Sequence, residues 1–157
     1  MGVGSVAIGL LFVLGALLLA AGIEDARRRT ISNWTNLAVA ALAPLWWWAQ
    51  GYAVWPDIAI QLAFAAIIFG LFVGAFALGM MGGGDVKLIG ALALWLPVVP
   101  FLNLLIVMSL VGGAVTLLMM AERRLRPRDG VLEVPYGVAI AFAGLLALRE
   151  PILNQLA

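Results

Sequence analysis

Long apolar stretches separated by short polar ones fill the chain from its first residues to its last. A window of about 20 residues, the helix length that crosses ~30 Å of hydrocarbon, selects six segments: Val3–Ile23, Trp34–Gln50, Ile58–Leu78, Val86–Val99, Phe101–Ala121 and Val134–Leu148. Each is predicted to be an α-helix, because lipid offers backbone groups no hydrogen-bond partner and the alternation of a barrel strand is absent. The pattern therefore predicts an all-α fold, a polytopic membrane protein with a bundle of six transmembrane helices in a single domain over residues 1–157.

The fourth segment, Val86–Val99, is the shortest of the six. Its 14 residues would span only about 21 Å as a helix, which is less than the hydrocarbon core. We expect it either to extend back through the preceding glycines or to lie shielded among neighbouring helices.

Composition agrees with a bilayer environment and removes several kinds of chemistry. Apolar residues make up 65% of the chain, charged residues 11%, and the mean hydropathy is +1.13, so there are too few polar groups to cover a water-facing surface. The absence of Cys and His excludes thiolate nucleophiles, Cys-based zinc sites, Ser-His-Asp triads and zincin motifs. Carboxylate chemistry remains, or the single Lys87 acting on a hydroxyl, although no serine has an evident pairing with it. We expect no metal and no organic cofactor, and the net charge of +1 predicts no nucleic-acid partner.

In a chain that crosses the membrane six times in succession, nearly all basic residues fall in segments on the same side of the membrane. Arg149 lies on the other side, and the remaining eight of the nine basic residues are Arg27, Arg28, Arg29, Lys87, Arg123, Arg124, Arg126 and Arg128. The positive-inside rule makes their side cytoplasmic. The chain is then expected to be multi-pass in the plasma (inner) membrane, with both termini extracytoplasmic.

Gly82-Gly83-Gly84-Asp85 is the most specific local feature of the sequence. Residues without a Cβ let another backbone approach closely, and irregular backbone at membrane depth is tolerated only beside protein or a water-filled cavity. Asp85, between these glycines and a new apolar helix, is therefore a candidate for a functional carboxylate. The alternative is that Asp85 only caps the fourth helix by accepting amide hydrogen bonds at its positive end, and the two roles can coexist.

Asp25 ends the first apolar segment beside Arg27, Arg28 and Arg29. Taken alone, an interfacial ion pair is the simpler interpretation. Asp25 and Asp85, however, arrive at one membrane face in a chain that lacks the other common catalytic groups. If their helices pack together, the two acids can share one proton, so that one serves as acid and the other as base. Such a pair can activate a water and protonate a leaving amine, which is peptide hydrolysis.

With these residues in place, the sequence resembles the prepilin peptidases, also called type IV leader peptidases, within the Gly-x-Gly-Asp class of intramembrane aspartyl proteases. Three patches match in order and spacing, and together they span nearly the whole chain. They are Asp25 with Arg29, Ile31 and Asn33; Gly82, Gly84 and Asp85 with Val86-Lys87-Leu88; and Pro135-Tyr136-Gly137 before an apolar helix.

The resemblance implies that Asp25 and Asp85 are the catalytic pair. It also implies that Gly82 and Gly84, with Gly83 between them, shape the active-site loop. It adds a set of residues expected to support substrate or structure, namely Arg29, Asn33, Lys87, Pro135 and Tyr136. It implies prepilin or pseudopilin precursors as substrates, whose short basic leader is removed at the cytoplasmic face, just before a hydrophobic helix. The partners expected are therefore these precursors and the lipid bilayer, and a second copy of the chain is a further candidate. Since the cytoplasmic face is only slightly positive overall, Glu24, Asp129 and Glu133 are candidates to guide a basic leader.

Two departures from the family pattern qualify the resemblance. Ser32 occupies a place where the family often has Pro, and the chain begins directly with its first helix and has no Cys. The second departure leads us to expect a short, peptidase-only member without the zinc-binding domain of the forms that also methylate the new terminus, as found with tight-adherence pilus systems.

Three other functions are weighed against this one. An archaeal-type preflagellin peptidase would share the catalytic chemistry and differ only in substrate. A small proton- or cation-coupled transporter would also use intramembrane carboxylates and broken helices, but it is expected to place acids near the midplane and to show paired half-helices. A purely structural assembly protein would be favoured if the purified protein cleaved no precursor.

Overall fold

The computed structural model describes residues 3–125 and 135–156, and within these ranges the protein is helical without strands. In these two ranges, a π-helical turn, Val54–Ile58, precedes the third of seven α-helices. The helices are α1 Val3–Arg28, α2 Asn33–Ala49, α3 Ala59–Ala77, α4 Gly83–Leu92, α5 Val98–Leu125, α6 Tyr136–Ala147 and α7 Arg149–Leu156. The all-α prediction is confirmed.

Four of the predicted crossings have helices long and apolar enough to span a bilayer. They are Gly4–Arg28, Val54–Ala77, Val98–Leu125 and Tyr136–Asn154. The expectation of six transmembrane helices is not confirmed for the other two, since α2 has 17 residues and α4 has 10, or about 25 Å and 15 Å at 1.5 Å per residue. The protein is accordingly a multi-pass membrane protein with four candidate spans in its described part.

The predicted boundaries differ most at α1 and α4. Helix α1 continues five residues past the predicted end at Ile23, to Arg28, so Asp25 lies on the helix itself. Helix α4 begins at Gly83, three residues before the predicted Val86, and ends at Leu92, seven before Val99. Gly83 and Gly84 are thus part of its first turn, as one of the two expectations for this segment required, and Gly82 is the residue just before the helix. The predicted start of the sixth segment, Val134, lies outside the described residues.

Helices α1 and α6 pack against each other in antiparallel directions through small residues. A Cβ placed on Gly144 would lie 2.9 Å from Cδ1 of Leu18, and a Cβ placed on Gly22 would lie 3.0 Å from Cβ of Ala141. Close approach of this kind is typical of helix contacts in membranes. One face of α1 is buried by this packing and by α2, and its core residues are Ala7, Leu10, Leu11, Leu14, Leu18 and Ala21. Asp25 continues that face by one more turn.

Helix α4 lies at the centre of the bundle, against α2, α3 and α6. Its carbonyl end is held by side chains from the neighbouring helices. The Gln61 amide donates to the carbonyls of Ala93 (2.6 Å) and Leu96 (2.9 Å), and the Trp47 indole donates to the carbonyl of Leu94 (2.8 Å). These bonds satisfy carbonyls that the short helix leaves without an internal partner. A helix too short to cross the membrane alone is thereby fixed in position by α2 and α3.

Candidate active site

Asp25 lies at the last turn of α1 and faces the start of α6. Its side chain is only 4% exposed, and its Oδ2 accepts a hydrogen bond from the backbone N–H of Val138 at 3.1 Å. Val138 is in the first turn of α6, so the carboxylate sits at the positive end of that helix. The simpler interpretation, an exposed ion pair with the neighbouring arginines, does not describe a buried side chain bonded to α6.

Gly137 makes this contact between α1 and α6 close enough to form. A Cβ at residue 137 would lie 2.8 Å from both Cβ and Cγ of Asp25, and 2.8 Å from Cδ1 of Ile31. Real Cβ atoms do not approach other atoms so closely. Glycine is therefore required for the start of α6 to reach the Asp25 carboxyl group.

Asp85 lies in the first turn of α4 and is 8% exposed. Gly82 is the N-cap residue of this helix, and the Asp85 carboxylate reaches back to its backbone N–H. This is the reciprocal half of a capping box, in which the third helical residue bonds to the N-cap amide. A Cβ on Gly82 would lie 3.0 Å from Oδ2 of Asp85, so glycine leaves room for the carboxylate. The capping role considered from the sequence is thus present, in a side chain that is also buried.

The two carboxylates are brought together by α6 and by the turn between α1 and α2. Helix α6 packs against both α1 and α4. In the turn, Ile31 is buried, and a Cβ on Gly84 would lie 3.2 Å from its backbone N and O. Ile31 thus contacts Gly84 on one side and Gly137 on the other. Burial, and then the nearby Asp25 charge, raise the pKa of Asp85, which lies outside the four candidate spans, although the Gly82 amide opposes the shift.

The turn itself is fixed by Arg29 and Glu24. Arg29 ends α1 with a left-handed backbone (φ 56°), and its N–H bonds to the Asp25 carbonyl at 2.9 Å. The Glu24 carboxylate accepts the Ser32 N–H at 2.8 Å and the Thr35 hydroxyl at 3.2 Å, while Ser32 caps α2 by accepting the Thr35 N–H at 3.1 Å. Glu24 is therefore engaged within the protein. Asp129 and Glu133, the other two acids considered for guiding a leader, lie outside the described residues.

Asn33 and Lys87 lie together on the side of α4 that faces α2 and α3. The Lys87 ammonium donates to Oδ1 of Asn33 at 2.8 Å, and both side chains are exposed. On the helix, Lys87 is two residues beyond Asp85 and so points roughly the opposite way. This pair is therefore separate from the two carboxylates.

Pro135 and Tyr136 open α6, with Pro135 as its N-cap residue. The Tyr136 ring lies against Gly112 of α5, where an added Cβ would be 3.3 Å from the ring. Tyr136 thus holds α5 against the start of α6. Of this patch, Gly137 and Val138 are the residues that contact Asp25.

Sequence reasoning did not place Ile31, Gly137 or Val138 in the site. The first two belong to the patches that carried the family resemblance, and that signal could have found them. Val138 acts only through its backbone N–H, so its side chain gives no signal. Among residues 3–125 and 135–156, no group of three or more Asp and Glu side chains is arranged to hold a metal ion.

A sequence model of the type IV leader peptidase family matches residues 12–117. The chain belongs to the type IV leader peptidase family. The matched range includes Asp25 and the Gly82–Asp85 segment but ends before Pro135. No curated protein and no solved structure shows a significant match to the chain. Membership in this family makes the protein a protease whose substrates are prepilin-like precursors.

Proposed function

We propose that this leader peptidase is an aspartic endopeptidase that uses Asp25 and Asp85 as a catalytic pair. The observation that carries the proposal is the placement of the two buried acids at the positive ends of α6 and α4, close enough for the charge of Asp25 to raise the pKa of Asp85. Two carboxyl groups so placed hold one proton between them, because a second negative charge in the same dry site is unfavourable.

The roles of the two acids follow from their surroundings. Asp85, buried and next to a negative charge, holds the proton. Since Asp85 holds the proton, Asp25, whose carboxylate accepts the backbone N–H of Val138, serves as the base. Asp25 takes a proton from a water as the water oxygen attacks the scissile carbonyl carbon, and Asp85 gives its proton to the carbonyl oxygen. The tetrahedral intermediate then breaks its C–N bond as the leaving nitrogen takes the proton from Asp25, while one hydroxyl of the intermediate gives its proton to Asp85. This yields a new carboxyl terminus and a new amine and restores the starting protonation of the two acids.

The finer assignment of substrate and membrane side rests on the resemblance and on charge. The segments that carry the two acids also carry Arg27, Arg28, Arg29 and Lys87, and the positive-inside rule places such segments on the cytoplasmic side. We assign prepilin or pseudopilin precursors with a short basic leader as substrates, cleaved at that face. Since an archaeal-type preflagellin peptidase would use the same pair of acids, only the precursor distinguishes the two functions.

The test uses the full chain, purified in detergent, and a purified prepilin precursor with its leader and hydrophobic helix. Asp25→Asn and Asp85→Asn should each lower the cleavage rate by about a thousandfold or more, because neither variant can hold and move the proton. Asp57→Asn, in the π-helical turn before α3, is the matched control and should cleave normally. Retained cleavage in either catalytic variant would overturn the proposal. Running a preflagellin precursor in parallel decides between the two substrates.

A further inference from the structure

A groove of about 590 Å³ opens between α2 and α3, with α4 as its floor. We call it the α2–α4 groove. Each of the three helices contributes small or apolar residues to its wall, among them Ala40 from α2, Ala66 from α3 and Ala91 from α4. Lys87 and Asn33 lie at one end, and Leu62 and Leu94 lie farther along. The groove is on the opposite side of α4 from Asp85 and is not used by the proposed mechanism.

Asn36 in the wall of this groove has an unmet hydrogen-bonding requirement. Its side chain is 4% exposed, and its Nδ2 donates to the carbonyl of Gly84 at 3.2 Å. Its Oδ1 is buried without a hydrogen-bond partner among the described residues. A carbonyl oxygen only accepts hydrogen bonds, so the Gly84 contact fixes which end of the Asn36 amide is the free acceptor. Native proteins pair nearly all such buried atoms, so this acceptor indicates a missing donor.

The chemistry of the occupant follows from that acceptor and from its position. A lipid acyl chain could fill an apolar groove but has no group to donate to Asn36. A peptide has a backbone N–H at nearly every residue. Asn36 bonds to the carbonyl oxygen of Gly84, the residue before Asp85. A peptide bound to Asn36 therefore passes directly beside the first turn of α4.

We infer that the α2–α4 groove binds the apolar segment of the precursor that follows the cleaved bond, and that Oδ1 of Asn36 accepts a backbone N–H from it. The inference rests on the proposed function and adds the place where the substrate is held. The charge of Lys87 at one end of the groove repels the basic leader and leaves the apolar segment to enter. The bound chain crosses the start of α4, which brings the scissile bond from the groove to the two acids.

Photo-cross-linking tests the contact directly. A benzoylphenylalanine placed at Ala66, in the groove wall, should cross-link to the apolar segment of a purified prepilin precursor held by the Asp85→Asn variant. The same probe at Ala63 is the matched control, because Ala63 is also exposed on α3 but does not line the groove. Cross-links from position 66 to lipid only, to a second copy of the chain, or to nothing would each overturn the inference.

Steady-state kinetics provide a second readout that does not depend on trapping. Ala66→Phe fills the groove at an exposed position, so the fold should tolerate it, and it should raise KM for the full precursor roughly tenfold or more. Asn36→Leu should also raise KM, because it removes the acceptor. Ala63→Phe adds the same ring outside the groove and should leave KM unchanged. An unchanged KM in Ala66→Phe would contradict the inference.

The two proposals fail in distinguishable ways. If Asp25→Asn and Asp85→Asn retain cleavage, the catalytic assignment is wrong whatever the groove binds. If both lose cleavage but position 66 gives no cross-link to the precursor, the acids are catalytic and the substrate lies elsewhere.

Discussion

Gly137 is the residue on which the contact between Asp25 and α6 depends. Its importance could not be derived from residue periodicity, because the contact joins positions far apart in the chain and exists only when α1 and α6 pack in antiparallel directions. Asp25, by contrast, was identifiable from the sequence. The buried face of α1 runs through Leu14, Leu18 and Ala21 to Asp25 at helical spacing. A hydropathy window ended the helix at Ile23 because it counts residue types and not faces.

Replacing Gly137 by Ala should damage the site. The new Cβ would lie 2.8 Å from Asp25 and Ile31, so α6 has to shift, at a cost of about 1–3 kcal/mol in the free energy of unfolding. We expect a lower midpoint of thermal unfolding and loss of precursor cleavage. Gly113→Ala is the matched control, since nothing lies within 4 Å of a Cβ there. Equal activity in the two variants would contradict the close contact.

The raised pKa of Asp85 predicts the direction of the pH dependence of cleavage. Because burial and the Asp25 charge favour the protonated form, the shared proton is retained to a higher pH than an ordinary aspartate allows. The value of kcat/KM should therefore fall as pH rises through the raised pKa, and fall again in acid as the second carboxylate is protonated. A rate that kept increasing through the alkaline range would exclude Asp85 as the proton donor.

At the scale of helices, the turn between α1 and α2 determines where the first acid lies relative to the second. Ser32 was predicted to be a mild departure from a family proline, and the structure gives it a defined role as the N-cap of α2, bonded to Thr35 and linked to Glu24. The length of α4 was the least predictable feature. Its end at Leu92 depends on Gln61, Trp47 and other side chains of neighbouring helices, and a pattern within the segment carries no information about them.

Removing the Glu24 carboxylate should loosen this turn. Glu24→Ala leaves the Ser32 N–H and the Thr35 hydroxyl without their acceptor, which costs about 1 kcal/mol of stability and frees Ile31 to move away from Gly84. We expect lower thermal stability and a lower kcat, with partial rescue in Glu24→Gln, whose amide oxygen still accepts. Glu150→Ala, an exposed acid at the start of α7, should change neither quantity. A normal kcat in Glu24→Ala would mean that the turn does not position the acids.

For the whole molecule, the sequence predicted the all-α class, the family and the membrane environment correctly, because composition and long apolar stretches determine them. It did not determine how many helices cross the membrane. Segment length could not distinguish a spanning helix from one supported by neighbours. Residues 3–125 and 135–156 contain four candidate spans, and the short helix α4 packs against α2 and α3.

The absence of Cys in the chain allows the membrane orientation to be measured cleanly. Thr30→Cys and Ala53→Cys flank α2 at exposed positions. In intact cells, an impermeant maleimide should label position 53 and leave position 30 unlabelled until the membrane is opened. If the maleimide labelled both positions from outside, α2 would not cross the membrane and the site would not face the cytoplasm, which would contradict the proposed orientation.

The central claim, that Asp25 and Asp85 share one proton, is tested most directly by infrared difference spectroscopy of the carboxyl C=O stretch. At about pH 6, where an ordinary aspartate is ionised and the pKa of Asp85, raised to about 7, keeps its carboxyl group largely protonated, the purified protein should retain one protonated carboxyl group. That band should vanish in Asp85→Asn, because Asp25 then ionises beside a neutral partner. A wild-type spectrum without a protonated carboxyl group at this pH, or a band that survives unchanged in both Asn variants, would contradict the account.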